Sequence, residues 1–144
     1  MWADSLFALE RGHILRLIVW GAGSVLLGTL LFIMLSWRRV RAPMLTNFAI
    51  QTGAWGAVIM AIGFWAWRGL SLRDFAGAQH LVNLLWLNTG LDVGYVMLGA
   101  TLALAGWRLG PRPAAIGAGV GIILQGLALF LLDVRLIVLI GPLQ

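Results

Sequence analysis

The chain has 144 residues, 61% of them hydrophobic and only 10% charged, with a net charge of +5 and no cysteine. Soluble domains carry about 25% charged residues, so a mean hydropathy of +0.96 excludes a soluble fold and leaves no room for a soluble domain beside the apolar stretches. The lack of cysteine excludes disulfides, iron–sulfur clusters and thiol chemistry. No basic patch, zinc spacing or RNA motif accompanies the pI of 11.6, so nucleic acid is not an expected partner.

The first apolar stretch runs from residue 14 to 37 and opens on His13 and Arg16. Inside it, "GAGSVLLG" (21–28) has the glycines of a dinucleotide loop without the preceding strand such a loop needs. Gly21, Ser24 and Gly28 instead fall on one helical face and read as a packing stripe. The stretch is too long for a signal peptide, its small residues lie mid-span, and "WRRVR" follows it. It is expected to be a retained helix.

"WRRVRAP" (37–43) ends this span, and Pro43 suits the start of the next, 44–67, which carries Gln51 and Trp55. After "RGLSLRDFAGAQ" (68–79), with His80 just beyond it, a third span covers 81–106. Asn88, Asp92 and Tyr95 share one side of it, and Gly90 and Gly94 share the other. "WRLGPRP" (107–113) leads into a fourth span, 114–140, with a G-x-x-x-G at Gly117 and Gly121, then Gln125, Asp133 and Arg135. Each stretch exceeds the roughly 20 residues that cross about 30 Å of hydrocarbon. The expected fold is a single all-α transmembrane domain: a four-helix bundle whose antiparallel neighbours are joined by short loops.

The first loop holds Arg38, Arg39 and Arg41, and the third holds Arg108 and Arg112. Basic residues favour the cytoplasmic side, which puts the termini outside, although Arg11, Arg16, Arg68, Arg73 and Arg135 oppose this. The bilayer is the first expected partner, and a second copy or another membrane protein the next. The glycine stripes, Gly90 and Gly94 included, are expected to be close helix contacts, mostly within the chain.

Two polar groups stand out. Near the midplane, Asp92, Asn88, Tyr95, Gln51, Trp55 and Gln125 fall at one level and are expected to form a cluster, with the neutral groups donating to Asp92. A carboxylate at a helix centre costs about 2.5–3.5 kcal/mol, so Asp92 is expected to face the bundle interior. Toward the termini, His13, Arg16, His80, Asp133 and Arg135 form an interfacial group in which Asp133 could pair with Arg16. The histidines and Asp133 have metal-ligand chemistry without metal-ligand spacing, so neither a metal nor a haem is expected. No cofactor motif is present.

At these residues the chain resembles a bacterial family of small four-helix membrane proteins known only as a domain of unknown function. The likeness is carried by "LLWLNTGLDVGY" (84–95) and "GIILQGLALFLLD" (121–133), and more loosely by "WGAGSVLLG" (20–28) and "QTGAWGAV" (51–58). It implies the four-helix architecture, with Asn88, Gly90, Asp92, Gly94, Tyr95, Gln125, Gly126 and Asp133 as signature positions. It also implies a longer, more charged second loop than this one. It implies no activity.

Three readings follow. The first is a structural or accessory bundle that packs with itself or a membrane partner. The second is a binding or transport module for a small molecule, lipid or proton, centred on Asp92. The third is an intramembrane enzyme, for which Asp92 and Tyr95 are the only acid–base couple on offer. The second requires a cavity beside Asp92, whereas the first requires its carboxyl to be packed and fully bonded.

Overall fold

A computed structural model describes residues 2–143. Four helices follow one another: α1 (Trp2–Trp37), α2 (Pro43–Arg68), α3 (Phe75–Arg108) and α4 (Pro113–Ile140), with a 3-10 turn at Gly141–Leu143. All four are long and apolar enough to cross a membrane. α2 and α4 begin within a residue of the expected positions because proline occupies the first turn of each.

α1 and α3 begin earlier than their apolar stretches. α1 starts at Trp2 rather than near residue 14, and α3 at Phe75 rather than near 81, where the Asp74 side chain caps it by accepting from the Gly77 N–H at 2.8 Å. The cause is packing. Leu6 of the added α1 turns is buried in a cluster with Ala78 and Leu85 of α3 and with Leu136 and Ile140 of α4. At 36 and 34 residues, α1 and α3 rise about 54 and 51 Å, well beyond about 30 Å of hydrocarbon.

Helices meet where side chains are missing. A β-carbon on Gly28 would lie 2.5 Å from the Ala49 carbonyl oxygen and 2.6 Å from the Gly53 nitrogen, and one on Gly21 would lie 2.7 Å from the Gly56 oxygen. These contacts weld α1 to α2. Gly99 and Gly119 do the same for α3 and α4, since a β-carbon on either would meet the other's carbonyl oxygen at 2.7 or 2.6 Å. α2 and α4 meet at their starts, Gly117 facing the Met44 carbonyl and Gly121 the Gln51 side chain. Among the described residues, α2 and α3 are not a packed pair.

The turn between α3 and α4 needs the backbone freedom of Gly110, at φ 110°. The turn between α1 and α2 places Arg39 at φ 52°.

Gly90 and Gly94 correct the expectation of a tight contact within the chain. Both are exposed, and a β-carbon on either would have nothing within 4 Å. The inward face of α3 is the one with Leu85, Thr89, Asp92 and Gly99.

These contacts separate glycines that must stay from those that need not. Gly28→Ala or Gly99→Ala should lower the melting temperature in detergent, by about 1–3 kcal/mol of overpacking. Gly90→Ala should leave it unchanged or raise it, by up to about 1 kcal/mol of helix propensity. Thermal unfolding of the three variants side by side checks the assignment.

Candidate functional site

The midplane residues divide between two places. Asp92, Asn88, Tyr95 and Trp55 line a cavity of about 260 Å³ that takes walls from all four helices. Gln51 and Gln125 do not line it. Gln125 faces α1, where its Oε1 accepts from the Trp20 indole N–H at 2.8 Å and its Nε2 donates to Ser24 Oγ at 3.1 Å. With no exposed surface, it pins α4 to α1. Gln51 lies against Gly121. Depth along a helix was readable from the sequence, but rotation about its axis was not. Trp20 was missed because nothing in the sequence marked it as a partner for a glutamine so distant in the chain.

The cavity also joins the two polar groups. His13 of α1 and Asp133 of α4 line it beside Asp92, with His13 Nε2 3.3 Å from Asp133 Oδ1. Asp133 therefore pairs with His13 and not with Arg16, whose guanidinium folds back over Gly12. Arg16 and Arg135 line a groove between α1 and α4, and both meet His13 at a small recess beside Leu132 and Leu136. His80 is exposed on α3 and joins neither place. Among the described residues no three metal-type ligands converge.

The lining has a buried floor and an exposed rim. Asp92 is 4% exposed, and His13, Asp133 and Ile59 are likewise buried, whereas Val58 and Ile62 of α2 and Asn88 and Leu91 of α3 are exposed. The cavity therefore opens sideways, where α2 and α3 stand apart. Trp55 and Tyr95 face each other across this gap, ring centres 5.2 Å apart at 74°, an edge-to-face geometry that favours aromatic pairs.

Asp92 lacks the partners expected of it. Its Oδ2 is buried and receives no hydrogen bond, from Asn88, Tyr95 or any other described residue. A buried acceptor left in this state costs roughly 1–3 kcal/mol. The lining carries two carboxyls and one imidazole, and no arginine or lysine.

Beyond the cavity, Glu10 of α1 accepts two hydrogen bonds from Arg73 of the second loop, at 2.6 and 2.8 Å. Both arms of the guanidinium are used, the pairing arginine makes best. These bonds hold the Arg73 pKa above its ordinary value. The second loop thus fastens the early turns of α1 to the start of α3. Glu10 lies ahead of the apolar stretch in sequence, where nothing signalled that the helix continued.

A four-helix all-α chain with a polar cavity opening between two of its apolar helices defines the class of molecule. The chain belongs to DUF6992, a family of unknown function whose match covers residues 16–134. No curated protein and no solved structure matches it.

Glu10→Gln should keep the shape but lose the charge, lowering stability by about 1–3 kcal/mol. The exchange Glu10→Arg with Arg73→Glu should recover part of that loss. Unfolding of the single and double variants gives the coupling energy, and a value near zero would remove the loop from the account.

Proposed function

We propose that this is a multi-pass integral membrane protein that binds a small ligand through a cationic or hydrogen-bond-donating head in the pocket around Asp92. The observation that carries this reading is the buried Oδ2 of Asp92, which lacks a partner and sits against a cavity of about 260 Å³. A donor on the ligand relieves the cost of that oxygen. Asp133 adds a second carboxyl, Trp55 and Tyr95 supply ring faces that attract cations, and Leu17, Ile59 and Leu129 receive an apolar body. The lateral opening suits a ligand that arrives from the lipid. A binding or carrier role follows more readily than catalysis, since Tyr95 does not bond Asp92 Oδ2.

The resemblance of the segments at 84–95 and 121–133 supports a bacterial setting, with an inner membrane as the location. The arginines of the first and third loops support cytoplasmic placement of those loops and outside termini. With no native cysteine, single cysteines introduced at Ser5 and Arg41 test this. An impermeant thiol reagent applied to intact cells should label the first and spare the second.

A second reading, a structural or accessory bundle, draws on Gln125, whose side chain is bonded to Trp20 and Ser24. It also draws on the exposed, unfilled face of Gly90 and Gly94, which suits a second copy or a membrane partner. Under that reading Gly94→Leu changes the mass of the assembly.

The pocket is tested with benzyltrimethylammonium and its uncharged carbon isostere neopentylbenzene, by quenching of tryptophan fluorescence. The cation should bind and the isostere should bind more weakly. Asp92→Asn should fold normally and weaken the cation by about tenfold, the effect of roughly 1.4 kcal/mol. Equal affinity for the two probes, or indifference to Asp92→Asn, would overturn the proposal.

A further inference from the structure

A second concavity lies on a different face of the bundle, between α1 and α4. It encloses about 840 Å³, and its walls include Leu15, Val19 and Leu27 of α1 and Leu124, Leu127 and Leu131 of α4. Along α1 it runs from Leu15 to Leu27, about 18 Å at 1.5 Å per residue. That is close to one leaflet, half of about 30 Å of hydrocarbon. Arg16 and Arg135 line one end, both exposed. The ion pairs among the described residues, His13 with Asp133 and Glu10 with Arg73, leave both of these arginines without an acidic partner.

We propose that this groove holds one anionic phospholipid, its phosphate on Arg16 and Arg135 and an acyl chain laid along the leucine walls. The proposal rests on the reading that the helices cross a membrane, and it is independent of the pocket at Asp92. Two unpaired guanidiniums at the mouth of an apolar channel are complementary to a phosphate joined to hydrocarbon, since each planar fork offers paired donors to phosphate oxygens. They lie toward the end of the bundle that carries the terminal turns, the level at which long basic side chains meet headgroups. A zwitterionic lipid fits the walls equally well but adds a cation beside two cations.

Gly23 provides a way to close the groove without disturbing the bundle. It lines the concavity, and a β-carbon there would meet nothing within 4 Å. Flotation with vesicles of phosphatidylglycerol and phosphatidylcholine comes first. A chain that fails to float with them overturns the membrane reading, and this proposal with it. For a chain that floats, native mass spectrometry of the detergent-solubilised protein is titrated with each lipid.

Phosphatidylglycerol should bind about tenfold or more tightly than phosphatidylcholine. The Arg16→Gln/Arg135→Gln variant should lose that preference at an unchanged melting temperature, and Gly23→Phe should weaken both lipids. Equal affinity for the two lipids in the native chain overturns the groove assignment alone, as does a preference that survives in the double variant. Full competition by inorganic phosphate reduces the site to an anion contact and overturns the lipid. A dimer that Gly23→Phe dissociates means that a second copy covers the groove, and this also overturns it.

Discussion

For four helices apolar enough to cross a membrane, lipid tails would reward the covering of leucines little, because such surroundings are as apolar as the side chains. What remains is close backbone contact, and in this chain the contact is made by glycine. Gly21 and Gly28 let α1 reach α2, Gly99 and Gly119 let α3 reach α4, and Gly117 lets α4 reach the start of α2. Wherever such a stripe faces a neighbour, the helices close. Where none faces across, as between α2 and α3, they stay apart and a cavity is left. The polar site is therefore a by-product of where the small residues are placed, and so is its sideways opening.

Most of the architecture could be read from the amino acids. The breaks at 37–43 and 107–113 combine arginine, tryptophan and proline, each of which marks a helix end at a membrane surface for its own reason. The early turns of α1 and α3 were not readable, because Asp4, Glu10, Arg11 and Arg73 make that stretch look like surface. Leu6 and the Glu10–Arg73 pair make it structural once the helices are assembled. Gly90 and Gly94 misled for a related reason: two glycines one turn apart specify a smooth face but not the presence of a neighbour. Among the polar residues, membership of one level was legible and membership of one pocket was not. Asn88, Asp92 and Tyr95 share a pocket because they share a helix face. Gln125 belongs to another interface because α4 presents that side to α1.

The two concavities are chemically opposite. The inner one gathers carboxyls and aromatic rings around a short, partly enclosed space, and the outer one joins two arginines to a long apolar wall. His13 and Arg16, one helical turn apart on α1, fall on different sides of that division. The sense of charge changes from acidic to basic within about 5 Å of helix rise.

The two tight turns have one more consequence. Trp37 with Arg38 precedes Pro43 at the same interval at which Trp107 with Arg108 precedes Pro113, and Gly56 and Gly126 follow those prolines at equal distances. The chain is thus two hairpins of matching pattern laid side by side, with α2 and α4 running in the same direction. Set in that register, Asp92 in the second hairpin falls opposite Ala22 in the first, and Gln125 opposite Trp55. The acid that distinguishes the cavity occurs in one hairpin only. The matched frame therefore carries the Asp92 carboxyl in its second half alone, at the cavity where α2 and α3 stand apart.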